Sequence, residues 1–409
     1  MTVVPVRPSR ALLAAVAAAS VLLTGCLFAP DSTRASRGME LALQDDATFL
    51  LGGKRVTQAK GFTYARQLGV TRLRVNLLWS YTMPAAQYNA RRKPAQITYL
   101  FDAFDNLVDK AADKGIRIHL SLTGPAPRWA RPKASVRQAW YKPNTREFGT
   151  FAGVVAEHFA GRVDRYSIWN EPNWRTWLGP LNSAPGLYRS LYSRGYDAIK
   201  AADPRAKVLI GETSPFERPG LSTAPIAFLR KVACVNAKYK RVGGCAPLKA
   251  DGYAHHPYDF RHAPGFQYPG EDNVTIGTLR RLTKALDRLS RAGALRKTGG
   301  GRMPLYLTEY GYFATGHRAL PPKTRTRYLQ QAYSIALKNS RVKSQLQYLL
   351  VSPPANSSSA FFNLALLSPS GKRLPQFSAL QRWFNANRGK VKRPGSPIAL
   401  PAARANPVL

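Results

Sequence analysis

Cysteine is scarce in this sequence, with three among 409 residues, and none of them stands at the short spacing of a thiolate metal site. A chain of this length buries enough surface to fold without disulfides or metals. Carboxylates are few as well: 22 acidic residues face 61 basic ones, a formal net charge of +39. Gathered into one arm or helix, that excess would suit a nucleic acid. It is dispersed along the chain instead, and no nucleic-acid partner is expected. Anionic lipid head groups or anionic envelope polymers fit it better, as a non-specific attraction, with plain surface composition as the alternative. Long apolar runs are missing after Leu23, which leaves no span for a membrane helix. No low-complexity tract or Pro/Gly-rich linker divides residues 39–388.

The first residues read as an export signal. Arg7 and Arg10 precede an apolar run from Ala11 to Leu23, too short and wrongly flanked for a membrane span. The run ends in Leu23-Thr24-Gly25-Cys26, which resembles the bacterial lipobox, whose cysteine is acylated and becomes the new N-terminus. Residues 1–26 are thus expected to be a signal peptide and 27–38 a polar tether. The expected product is exported, either secreted or held at the cell surface by a lipid on Cys26. Setting Cys26 aside leaves Cys234 and Cys245, an even pair in an exported chain, for which a structural disulfide is expected.

Between residues 39 and 388 short apolar strands alternate with helical patterns, which implies βαβ units and a parallel sheet. The strand candidates are Glu40 to Leu43, Arg72 to Leu77, Arg117 to Leu122, Arg165 to Trp169, Val208 to Gly211, Gly252 to His255, Leu305 to Thr308 and Gln347 to Val351. Eight such units make one (β/α)₈ barrel domain. The helices between them show apolar stripes, such as Leu100, Phe101, Phe104, Leu107, Val108 and Ala111 with Gly115 at the C-terminal cap position. The basic, proline-containing tail from Gly389 is expected to add little to the core.

In such barrels the residues at the C-terminal ends of strands point into the active site. Two carboxylates fall there: Glu171, after Ser167-Ile168-Trp169-Asn170, and Glu309, after Leu307-Thr308. Strands four and seven lie on opposing sides of the barrel mouth. A pair of carboxyl groups about 5 Å apart is what retaining glycoside hydrolysis requires, one as acid and one as nucleophile.

Trp169-Asn170-Glu171-Pro172-Asn173, with Glu309 in Thr-Glu-Tyr-Gly, resembles clan A of the glycoside hydrolases, the 4/7 superfamily. It is similar to the cellulase-type family five and the xylosidase-type family thirty-nine. The resemblance implies Glu171 as acid/base, Glu309 as nucleophile, and Asn170 as a partner of the sugar 2-hydroxyl. It implies that Arg74 keeps the nucleophile ionised; Arg72 shares the strand parity of Arg74 and is the alternative. His256-Pro257-Tyr258 resembles the His-x-Tyr of cellulase-type members, with Tyr258 donating to Glu309 and His256 near the sugar. The usual histidine near the end of strand three and tryptophan ending strand eight are missing, since His119 stands too deep.

Trp129, Trp174 and Trp177 lie beyond strand ends and are candidates to stack on a pyranose face or to anchor loops. Trp383 reads as core, and His255 as a structural histidine. No metal or cofactor is expected, because His255 and His256 lack an acidic partner cluster in the sequence and no lysine ends a strand. The reading is therefore a monomeric hydrolase of O-glycosidic bonds acting on a carbohydrate. The alternative is a non-catalytic carbohydrate-binding lipoprotein on the same scaffold.

Overall fold

A computed structural model describes residues 38–53, 55–132 and 140–409. The signal peptide, Cys26 and residues 27–37 of the tether lie outside the described residues. Eight parallel strands close into a barrel: β1 (Glu40–Gln44), β2 (Arg72–Leu78), β3 (Arg117–Thr123), β4 (Arg165–Ile168), β5 (Lys207–Thr213), β7 (Gly252–His255), β9 (Leu305–Leu307) and β10 (Val342–Tyr348). The order around the wall is β1-β10-β9-β7-β5-β4-β3-β2. A separate parallel pair is formed by β6 (Leu248–Ala250) and β8 (Leu295–Lys297). Eight principal helices alternate with the barrel strands: α1 (Gln58–Gln67), α2 (Asp102–Asp113), α3 (Thr145–His158), α4 (Ala184–Ala202), α5 (Pro225–Val232), α6 (Leu279–Arg291), α7 (Pro322–Lys338) and α8 (Pro375–Ala386). The architecture is the (β/α)₈ barrel that the alternating pattern implies.

Strand pleating sorts side chains between two environments. In β2, Leu73, Val75 and Leu77 are buried beneath the helices, while Arg72, Arg74 and Asn76 alternate with them toward the barrel axis. Helices present complementary stripes: Leu279, Leu282, Leu286 and Leu289 are the buried leucines of α6, a spacing that places them on one face.

The floor of the barrel is ionic. Glu40 accepts from Arg165 (2.6 Å) and Arg72 (3.1 Å), and Arg72 also reaches Asp164 (2.6 Å). Burial opposes the Glu40 charge, but Arg165 and Arg72 outweigh it and hold the carboxyl well below its usual range. Arg165 also lies over the Tyr306 ring at 4.4 Å. Arg72 is thereby committed to the floor, one layer below Arg74, and takes no part in the mouth.

One expectation fails here. The eighth strand is Val342–Tyr348, not Gln347 to Val351. It buries Ser344, Gln345 and Gln347, polar side chains that sequence patterning assigns to solvent. The Gln347 NH₂ donates to the carbonyls of Tyr348 (2.8 Å) and Leu364 (3.0 Å), and the apolar run beyond Tyr348 misled the reading. The tail adds little to the core, as expected, with Val391 its one buried side chain, but it runs along the barrel. Val391 bridges to Met39, Ile398 N–H donates to the Ala112 carbonyl, and Leu409 exchanges bonds with Ile97. A Cβ on Gly115 would stand 2.4 Å from the Gly395 carbonyl oxygen, and its φ is +66°, so only glycine fits there. Cys234 and Cys245 form a disulfide. Among the described residues no helix is long and apolar enough to cross a membrane.

Candidate active site

The mouth at the C-terminal ends of the strands encloses a cavity of about 450 Å³ lined by Asn76, Asn170, Glu171, Trp174, Tyr258, Glu309 and Tyr348 among others. Glu171 follows β4 and Glu309 follows β9. Oxygens of the two carboxyl groups and a ring nitrogen of His256 all lie within 4.8 Å of one another.

Arg74, fully buried, organises one side. Its guanidinium bonds Glu309 Oε1 (2.9 Å), Asn170 Oδ1 (2.8 Å), Glu212 Oε2 (3.1 Å) and Gln44. The bond to Oδ1 fixes the Asn170 amide and leaves its NH₂ as the free donor. Tyr258 donates its hydroxyl to Glu309 Oε2 at 2.9 Å. Glu309 is thus held by a cation on one oxygen and a phenol on the other.

Glu212 is a site carboxylate that the sequence reading missed. It is fully buried at the end of β5, where its Oε2 accepts from Thr308 (2.7 Å), Arg74 and His256 Nε2 (2.8 Å). Strand parity would turn residue 212 outward, but the pairing of β5 with β7 shifts register between Gly211 and Thr213. Gly211 and Glu212 both adopt positive φ (115° and 49°), the mark of a bulge that re-aims a side chain. An acid one residue past a predicted strand end was the signal available.

His256 joins the three carboxylates. Its Nδ1 lies 3.1 Å from Glu171 Oε1 and 3.5 Å from Glu309 Oε2. The acidic partners that seemed to be missing for this histidine therefore exist, brought from strand ends far apart in sequence. Both ring nitrogens already face carboxylates, which suits an imidazolium donating twice. Burial opposes that charge, but Glu309 and the bonds to Glu171 and Glu212 push the ring up to about 9. Burial likewise works against the Glu212 anion, yet Arg74 and His256 hold it well below the usual carboxylate range. Glu171 goes the other way: burial raises it, Glu309 adds to the rise, and the hydrogen bond from His256 only partly offsets them.

The remaining candidates divide. Trp174 and Trp177 line the cavity. Trp129 does not; it packs edge-on against Trp79 at 6.1 Å, with Lys93 above it, because its loop folds back onto the aromatic layer around Phe148 and Phe151. His255 points away from the barrel axis to Thr213 (2.9 Å) and the Val274 carbonyl (2.9 Å), and burial lowers its pKa to about 3. His119 lies below the mouth, 3.0 Å from Ser167 Oγ. Tyr348 ends β10 and lines the cavity, so an aromatic ring does close the eighth strand. Trp383 is buried against Tyr333.

Comparison with known proteins fits this geometry. Among solved structures, the chain resembles a family 39 glycoside hydrolase from the gut symbiont Bacteroides cellulosilyticus WH2 (TM-score 0.58, 18% identity, 85% of this chain and 63% of that one). It also resembles a family 39 enzyme from Xanthomonas axonopodis pv. citri (0.57, 18%, 91% and 70%) and a glucosidase from Croceicoccus marinus (0.60, 14%, 87% and 68%). At such identities these likenesses concern the fold, and the chain spans under two thirds of the first structure's length. A family model described as cellulase, glycosyl hydrolase family 5, matches residues 32–333. With most of its length under that model, the chain belongs to glycosyl hydrolase family 5.

Proposed function

We propose that this protein is a retaining hydrolase of O-glycosidic bonds in an oligo- or polysaccharide. The observation that carries the reading is the approach of the Glu171 and Glu309 carboxyl oxygens to within 4.8 Å across the barrel mouth, a separation suited to double displacement and shorter than the roughly 6.5–9.5 Å of inverting enzymes. Glu309 attacks the anomeric carbon while Glu171 gives its proton to the departing oxygen. Glu171, now a carboxylate, then takes a proton from water as that water displaces Glu309 from the sugar. Arg74 and Tyr258 each bond one oxygen of the attacking carboxylate and aim it, and Asn170 offers its NH₂ to the sugar. Trp174 and Trp177 supply apolar faces for the ring.

The test is a set of 2-fluoroglycosides of several sugar types, followed by peptide mass spectrometry. A stable adduct on Glu309, absent from Glu309→Gln, is expected. Full turnover by Glu309→Gln would overturn the assignment.

We further propose that the chain is exported and tethered through a lipid on Cys26, supported by the Leu-Thr-Gly-Cys sequence after an apolar run. Membrane association lost in Cys26→Ser is the expected result; unchanged partition would refute it.

A further inference from the structure

Two arginines face the catalytic cavity with no carboxylate among the described residues to meet them. Arg218 stands in the loop after β5 and Arg318 in the loop after β9, and both line the cavity that holds Glu171 and Glu309. Elsewhere, Arg162 is matched by Asp105 and Asp109, Arg230 by Asp272 and Arg341 by Asp287, while the buried Arg325 spends its N–H groups on Gln376 and the carbonyls of Tyr312, Leu364 and Ala365. No ion pair joins Arg218 or Arg318 to any described acid, although both are half-buried.

Aromatic rings hold the two guanidinium groups in place. Arg218 lies 5.5 Å from the Trp174 ring centre and 5.2 Å from that of Phe216. Arg318 lies 3.9 Å from Phe313 and 5.9 Å from Phe260. Stacking occupies the faces of a guanidinium and leaves its N–H edge available. The backbone of Arg218 is pinned by a turn to Ser222, and Arg318 makes one long bond, 3.5 Å, to the Phe361 carbonyl. Burial lowers the pKa of Arg318, and the fields of Arg218 and Arg261 lower it further. Like charges are thus gathered at a half-buried wall, an arrangement that an anion would relieve.

We infer that the cavity takes a negatively charged glycan, with Arg218 and Arg318 binding a carboxylate, sulfate or phosphate substituent beside the sugar that is cleaved. This rests on the glycosidase reading and adds its substrate class. A fork of N–H donors on a stacked guanidinium is matched to a planar carboxylate or a tetrahedral oxyanion, and the neighbouring aromatic rings suit pyranose faces.

The experiment pairs charged and neutral forms of the same fragments: uronate oligosaccharides against their carboxyl-reduced forms, sulfated against desulfated fragments, and phosphodiester-linked glycans against dephosphorylated ones. Turnover is measured with the wild type and affinity with Glu309→Gln. In at least one series the charged member should be preferred ten-fold or more in kcat/KM, and that preference should collapse in Arg218→Gln/Arg318→Gln, chiefly through KM. Tighter binding of charged fragments by Glu309→Gln without wild-type turnover would uphold the anion site while removing the hydrolase reading. Equal or better binding of neutral members in all three series, or a preference that survives the double substitution, would overturn the inference.

Discussion

His256 Nε2 lies 2.8 Å from Glu212 Oε2, and both side chains are fully buried. Because the other ring nitrogen faces Glu171 and Glu309, Glu212 acts on the catalytic pair through this imidazole and through Arg74. Glu212 is a positioning residue, since it does not line the cavity and acts through the side chains it bonds. Replacing it by Gln removes the charge that Arg74 and His256 share. Loss of one member of a buried ion pair destabilises by about 3 kcal/mol. We expect Glu212→Gln to lower Tm and to move the His256 titration, followed by NMR, down from about 9. An unchanged imidazole midpoint in that variant would remove the coupling.

The same two groups set a pH window for stability. Glu212 titrates lower when folded than its ordinary 4.5, so its contribution is complete above 4.5 and is lost as pH falls below it. His256 titrates higher when folded than its ordinary 6.5, so its contribution is complete below 6.5 and fades as pH rises through about 9. Tm measured against pH should therefore be greatest between about 4.5 and 6.5. In Glu212→Gln the acid limb should be shallower.

Glu171, raised by burial, is suited to give a proton to the leaving oxygen. General acid catalysis is worth roughly 10²–10⁴-fold, and more of it is needed when the leaving group is poor. Glu171→Gln should lose that factor on alkyl glycosides or oligosaccharides and much less on dinitrophenyl glycosides in the glycosylation step. Equal losses across leaving groups, read by pre-steady-state kinetics, would contradict the acid role.

The tail straps the floor and flank of the barrel through Val391, Ile398, Asn406 and Leu409. None of its residues lines the cavity that holds Glu171 and Glu309. Truncation after Arg388 should lower Tm by several degrees, on the order of 1–2 kcal/mol for the lost burial of Val391 and the lost backbone bonds. KM for a small aryl glycoside should stay the same. A truncated chain as stable as the full one would show the strap to be dispensable.

Much of the mouth was legible because strand ends announce themselves. Asn170-Glu171 and Thr308-Glu309 sit where an apolar run stops, and barrel geometry sends such residues to one pocket. Arg74 carried a parity ambiguity with Arg72 that only the floor resolved, since Glu40 and Asp164 draw Arg72 downward. Trp129 kept two readings open, a sugar platform and a loop anchor, because nothing local distinguishes a ring over the cavity from one folded onto Trp79.

By itself the sequence determined the barrel, through periodicities of apolar residues that fit strand and helix, and the two acids, through their positions in those periods. Only the tertiary structure decided what each charged group faces. Glu212 turns inward because a bulge reverses its parity, His256 carries a proton because three acids converge on it, and Arg218 and Arg318 meet over one cavity because loops distant in sequence share a rim. Such relations depend on distance through space and on burial, and a linear pattern holds neither.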